Sequence, residues 1–185
     1  MPRGQHSTMV LRPLLLAAPL LAPLTCAMPA HADDCAPVKA AMLGALRTPH
    51  TAIITRQKDG KPSEIRMIQT RDSRYFEIRG QWRSVPLDAD DLAEMEKGLD
   101  EAKIACRRLG AEQLEGKAVT VYAAHVEKED SVSDNTLWIG SNGLPLRVET
   151  VLEGQTHSTL LDYGHADPPA GAAELLLSEN TFYRT

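Results

Sequence analysis

The stretch Leu137 to Glu149, LWIGSNGLPLRVE, constrains the fold of this chain more than any other. A Trp-bearing apolar run meets Ser141-Asn142-Gly143, whose side chains and free φ angles reverse a backbone, and a second apolar run leads away. That is the chemistry of a β-hairpin. The signature recurs along the chain: His50 to Arg56 and Ser63 to Thr70 flank a KDGKP turn, and Arg74 to Arg79 and Gln81 to Val85 flank Gly80. Further on, Ala118 to Val126 follows Glu115-Gly116-Lys117, and Thr156 to Tyr163 follows Glu153-Gly154-Gln155. Connections this short predict antiparallel pairing, because a parallel crossover needs about a dozen residues or more.

Two segments change period. Cys35 to Leu46 sets Val38, Met42 and Ala45 at helical spacing, tolerates Pro37 in its first turn and ends at Thr48-Pro49. Between Pro86 and Cys106, Leu92, Met95, Leu99 and Ala102 form one apolar stripe; Asp88 is placed to cap it, with Asp90, Asp91 and Glu94 near the positive end of the helix dipole. Gly98 predicts a bend or loop late in that helix. The polar run Glu127 to Asp134 predicts an exposed loop, Cys106 to Leu114 an extended segment, and Ala172 to Leu177 a helical turn in the tail. The sum is an α+β chain with one curved antiparallel sheet and two helices on one side of it.

The first 32 residues read as a leader. Arg3 and Arg12 precede LLLAAPLLAPLTCAMPA, and Ala30-His31-Ala32 is the small-x-small pattern of a signal-peptide cleavage site before Asp33. The sequence therefore predicts a signal peptide over 1–32 and a single exported domain over 33–185, located in the periplasm. Pro19, Pro23 and Pro29 interrupt the apolar run, which is too broken for a stable membrane span, and the mature chain is expected to have no transmembrane segment. Pro23, three residues before Cys26, makes a poor lipobox, so acylation of Cys26 is not expected.

Charge and cysteines then exclude whole classes. The leader holds two arginines and no acid, so its removal takes the formal charge from −5 to −7. With no basic stripe to offset this, the chain is not expected to bind nucleic acid. Two cysteines survive, Cys35 and Cys106, and an even pair in an exported chain predicts a disulfide. His6 and His31 leave with the leader; His50, His125, His157 and His165 are isolated, without the paired spacing of metal ligands. Ser141 has no nucleophile elbow, Gly140 and Gly143 make a turn instead of a phosphate cradle, and capping explains Asp88, Asp90 and Asp91. No catalytic centre, metal or cofactor is expected, and the chain reads as a binding protein and not an enzyme.

What remains is apolar surface. Leu144, Leu146 and Val148 alternate with Pro145 and Arg147; Leu137 and Ile139 alternate with Trp138. Tyr122 lies opposite Val121, and Tyr75 opposite Phe76, so both faces of the sheet carry large apolar groups. A closed core and a ligand cavity both fit this pattern. The cavity candidates are Ile54, Met67, Phe76, Trp82, Tyr122, Trp138, Leu144 and Leu146.

The order of these pieces resembles a known family. An exported chain with an N-terminal helix, a meander ending in a Trp strand and a helical insertion is followed by Gly116-Lys117-Ala118 entering Val119 to Tyr122. Leu137-Trp138-Ile139 with Gly143-Leu144-Pro145, and a last strand ending TLLDYG, complete the match. From Tyr75 to Gly164 this is similar to the LolA/LolB-like periplasmic lipoprotein-carrier superfamily. The resemblance implies an unclosed half-barrel with helices packed on its concave side. It also implies non-catalytic carriage of a lipid, a lipoprotein acyl chain or another hydrophobic ligand. The alternative for the same fold is an envelope protein-interaction module with a closed core and a protein partner. Eight aromatic residues in 185 are few for such a cavity.

Overall fold

The computed structural model describes residues 35–58, 61–128 and 131–174. The expected leader over 1–32 with Cys26, and residues beyond 174, lie outside the described residues. The chain order is α1 (Cys35–Arg47), β1 (His50–Lys58), β2 (Lys61–Gln69), β3 (Ser73–Ile78), β4 (Gln81–Pro86), α2 (Ala89–Glu101), β5 (Lys103–Leu114), β6 (Lys117–Lys128), β7 (Ser131–Gly140), β8 (Pro145–Leu152), β9 (Gln155–Asp162) and β10 (Ala173–Glu174). Two antiparallel meanders, β1 to β4 and β5 to β9, join through antiparallel pairing of β1 with β9. The two-residue β10 adds parallel to β4.

This order puts β4 and β5 eight inter-strand gaps apart, about 38 Å across a flat sheet at roughly 4.8 Å per gap. The link between them is α2, 13 residues long and so about 20 Å, with Leu87, Asp88 and Ala102 adding about 10 Å at full stretch. The connection is shorter than the flat sheet is wide, and the sheet must bend. Its ends do not pair, so the result is an unclosed half-barrel with both helices on one face.

The helices form for the reasons their sequences give. Asp88 accepts hydrogen bonds from the backbone N–H groups of Asp90 and Asp91 at 2.8 Å, and the Asp91 carboxylate accepts the Asp88 N–H, completing a capping box. Gly98 causes no break; α2 runs through it to Glu101. In the expected loop from Glu127 to Asp134, 127–128 and 131–134 are instead strand, with Glu127 opposite Val132 and His125 opposite Asp134. Polar residues suit this hairpin because their side chains alternate onto solvent-facing positions. In the tail, Ala173 and Glu174 are extended and not helical, while 175–177 fall outside the described residues.

Register assigns the two faces. Cys106, Ala124, Asn135, Thr150, His157 and Arg56 form one cross-strand row, and Tyr122, Leu137, Val148, Thr159, Ile54 and Ile65 form the next. Both rows face the helices. Trp138 opposes Arg147 while Ile139 opposes Pro145, so Leu146 is the extra residue of a β-bulge. The bulge breaks the alternation expected for Leu144, Leu146 and Val148: Pro145 joins Val148 on the helix face.

Under the first half of α1 the interior is solid. Val38 and Ala41 are fully buried against Cys106, Tyr122, Ala124, Leu137 and Ile139. The Cys35–Cys106 disulfide, with Cα atoms 5.0 Å apart, pins the first turn of α1 to β5. It closes a separation of 71 residues, for which loop entropy gives about 4 kcal/mol of stabilisation. The Cys35→Ser/Cys106→Ser variant should lose about that much in urea unfolding, with a raised m-value because the unfolded chain is freed of the cross-link; a loss under about 1 kcal/mol would contradict the assignment of the bond as the anchor of α1.

Candidate functional site: an apolar cavity between helices and sheet

Beyond the second turn of α1 the packing loosens into a partly enclosed cavity of about 390 Å³. Met42, Ala45 and Leu46 of α1 and Met95 and Leu99 of α2 form its roof. Its floor is Ala124, Val126, Asn135, Leu137, Pro145, Val148, Thr159 and Leu161. Asn135 and Thr159 are the two polar side chains among these, and none of the described lining residues is charged. Asn135 is occupied: its Oδ1 accepts from the Thr150 hydroxyl at 2.8 Å, and its Nδ2 donates to Ser133 Oγ at 3.1 Å. The volume lies within the range of sites that hold small molecules.

Polar contacts fix the walls. Gln69, buried on β2, donates from Nε2 to the carbonyls of Ala45 (3.2 Å) and Leu46 (2.8 Å), satisfying the C-terminal end of α1. Arg74 donates to Gln69 Oε1 at 2.8 Å and reaches Met95 Sδ at 3.5 Å, so β3 touches both the α1 clasp and α2. Arg47 at the end of α1 pairs in a bidentate fork with Glu96 of α2, at 2.6 and 2.8 Å. At the β7–β8 turn α1 lies close: a Cβ on Gly44 would stand 2.8 Å from Leu144 Cδ2. The Tyr163 hydroxyl donates to the Pro145 carbonyl at 3.0 Å and its ring lies 5.4 Å from buried His50.

A second hollow of about 510 Å³ lies on the other side of α2. Phe76, Val85, Leu87 and Met95 give it an apolar floor, while Arg74, Lys97, Lys128, Asp91, Glu94 and Glu101 supply mixed charge at its rim. Met95 borders both spaces.

The eight sequence candidates are distributed over both faces, and none of them is among the residues lining the 390 Å³ cavity. Ile54, Met67, Phe76 and Tyr122 face the helices: Ile54 beside Thr159, Met67 opposite Phe76, Phe76 in the second hollow, and Tyr122 within the solid core. Leu144 packs beneath Gly44. Trp82 pairs with Glu77, Trp138 lies under the Arg147 guanidinium at 4.7 Å and donates to Glu112, and Leu146 sits beside Gly140; all three are on the face away from the helices. Of the residues that do line the cavity, Met42, Ala45, Met95 and Leu99 are visible in the sequence as helical stripes. Pro145 was hidden by the bulge, and Thr159 by its polarity.

The strand acids segregate to one face, while the cations are shared: Arg66, Arg107 and Arg147 lie on the outer face among them. Glu64, Glu77, Glu112, Glu127, Asp134, Glu149 and Asp162 all take register positions on the outer face. Arg56, Arg74, Arg83 and Arg108 take positions on the helix face. Among the described residues no group of three or more His, Cys, Asp or Glu is placed to hold a metal ion, and no helix is long and apolar enough to cross a membrane.

No family model and no curated protein matches this chain. Among solved structures it is similar to the lipoprotein LppX of Mycobacterium tuberculosis, at 13% identity over 71% of this chain and 97% of that one, with a TM-score of 0.43. LprF of Mycobacterium bovis is 10% identical over 74% and 96%, with a TM-score of 0.45. MucB in complex with MucA(peri) is 18% identical over 74% of this chain and 57% of that one, at 0.46. All three likenesses are remote in sequence and in backbone.

Three histidines around this framework titrate in opposite senses. Burial holds His50 below the ordinary imidazole value of 6.5, with Arg74 adding to the shift against the Thr48 carbonyl. Burial and Arg56 likewise lower His157. The hydrogen bond to Asp134, 2.7 Å away, raises His125 on the outer face. For His50 and His157 the unfolded chain binds protons more readily, so stability is full above about pH 6.5 and declines as pH falls from there through their lower folded values. For His125 the contribution is full below about pH 6.5 and fades as pH rises through its higher folded value. NMR titration should therefore place His125 above 6.5 and His50 and His157 below it, and His125→Gln should cost more stability at pH 5 than at pH 8; the reverse order would refute these environments.

Proposed function

We propose that this chain is an exported, non-catalytic carrier that shelters the hydrocarbon of a lipid or of a lipoprotein in the cavity between α1, α2 and the sheet. One observation carries the reading: beside a solid core, the same sheet leaves a partly enclosed apolar space of about 390 Å³. Burial of each methylene there is worth about 0.8 kcal/mol relative to water. Association costs of about 4 to 15 kcal/mol offset most of this for a chain of moderate length. The balance gives reversible binding, as carriage between two sites needs.

A second reading, an envelope protein-interaction module, is favoured by the outer face, where Ile53 and Leu160 are directly paired and 40% and 39% exposed. The two readings separate at Ala45, which faces the cavity from α1. Ala45→Trp fills that space and should lower the affinity for a fluorescent fatty-acid probe at least tenfold while circular dichroism and thermal unfolding report an intact fold. Native mass spectrometry of the wild-type chain purified without delipidation should show a bound lipid that Ala45→Trp lacks. Equal probe binding by both proteins would remove the cavity as the site, and a defined protein partner recovered equally by both would support the interaction module instead.

A further inference from the structure

We propose that the ligand is a single-chain amphiphile with an anionic head, its chain in the cavity and its head held at Arg56 and His157; this rests on the carrier reading above. The volume sets the number of chains. If each methylene needs about the ~30 Å³ of a liquid water molecule, 390 Å³ takes roughly a dozen of them, which is one acyl chain and not two.

Polarity sets the direction. The two polar lining residues, Asn135 and Thr159, lead to the same neighbours: Asn135 pairs with Thr150, Thr150 with His157, and His157 with Arg56. His157 is two residues from Thr159 on the same face of β9, about 7 Å along the strand. Toward the other end of β1, by contrast, Gln69 opposite His50 and the α1 carbonyls it binds have their hydrogen bonds already made.

Charge sets the head group. The helix face of the strands carries no carboxylate among the described side chains, while its cations include Arg56. Arg74 is engaged by Gln69 and lies near the acids of α2, but Arg56 has Ser63 and His157 as cross-strand neighbours and no ion-pair partner among the described residues. A guanidinium at the apolar–polar boundary, with an imidazole beside it, supplies charge-assisted donors to a carboxylate or a phosphate.

Calorimetry on the delipidated full chain tests this with laurate, the uncharged dodecanol, lauroyl lysophosphatidate and dilauroyl phosphatidate, each below its aggregation threshold. Wild type should bind laurate and the lysophosphatidate about tenfold tighter than dodecanol, with the advantage shrinking as salt rises. Arg56→Gln, at an exposed position, should erase that advantage and leave dodecanol unchanged. A larger loss for laurate would point to a carboxylate source, and a larger loss for the lysophosphatidate to a phosphate source. An unchanged anion-to-alcohol ratio in Arg56→Gln overturns the head site, and dilauroyl phosphatidate binding as tightly as the single-chain form overturns the chain count. If Ala45→Trp abolishes dodecanol binding while Arg56→Gln changes nothing, the carrier reading stands and this one falls. If no chain binds the wild type, both fall.

Discussion

β4 and β5 stand at opposite ends of the nine long strands, yet the chain between them holds little more than the thirteen residues of α2. A short rod joining two distant edges has one solution: the sheet curls until the edges come within its reach, and the rod lies across the hollow side. Curvature, helix placement and the space beneath α2 all follow from that mismatch in length. The β1–β9 pairing makes it possible, since it fuses two meanders into one surface broad enough to bend. Among the described residues β5 pairs with β6 alone, so the curl stops short of a barrel.

The two ends of α1 are held by different physics. Its first turns are locked by a covalent bond to β5 and by Val38 and Ala41 in close-packed contact with the sheet; loosening them would break dispersion contacts that nothing replaces. Its last turn is held by Gln69 and by an exposed ion pair to α2, groups that water can satisfy in turn. The cavity lies under the second end, where a guest displaces no protein atom from a full core. A sheet of this breadth with one pinned helix and one spanning helix therefore produces a dry anchor and a roomier chamber side by side.

Much of this was legible in the residues. Turn chemistry at Ser141-Asn142-Gly143 and at Glu153-Gly154 marks the hairpins, the stripe Leu92, Met95, Leu99 marks α2, and the pair Cys35 and Cys106 marks the disulfide. What stayed hidden had a common cause: period-two alternation reports that a strand has two faces, never which of them a helix will cover. Trp82 and Trp138, the largest apolar groups, were natural choices for a cavity, yet their register turns both outward, where Trp138 stacks on Arg147. A single bulged residue, Leu146, then reverses the parity of the strand that follows, and no local signal in LPLRV announces it. Residues 127–128 and 131–134 carry no apolar alternation that would mark a strand; backbone pairing with each other extends β6 and β7 there.

The same blindness applies to charge, and there it has more consequence for function. A net charge of −5 over the chain argues against anionic partners when it is treated as a single number. Folding distributes that number unevenly: the strand acids all go outward, where Arg66, Arg107 and Arg147 partly offset them, and the helix side keeps Arg56, Arg74, Arg83 and Arg108 without a strand carboxylate among the described side chains. α2 brings acids back over part of that cationic side, against Arg74, whereas the β1–β9 boundary near Arg56 receives none from the strands. An acidic exterior repels anionic surfaces at long range, but screening confines that repulsion to roughly a Debye length of 8 to 10 Å in physiological salt. On the reading proposed above, a ligand inside the half-barrel would instead meet the guanidinium of Arg56 at short range, one cross-strand row beyond Thr159 of the cavity floor. Net charge is thus a statement about long-range repulsion, and the placement of individual charges on the two faces a separate one that net charge does not contain.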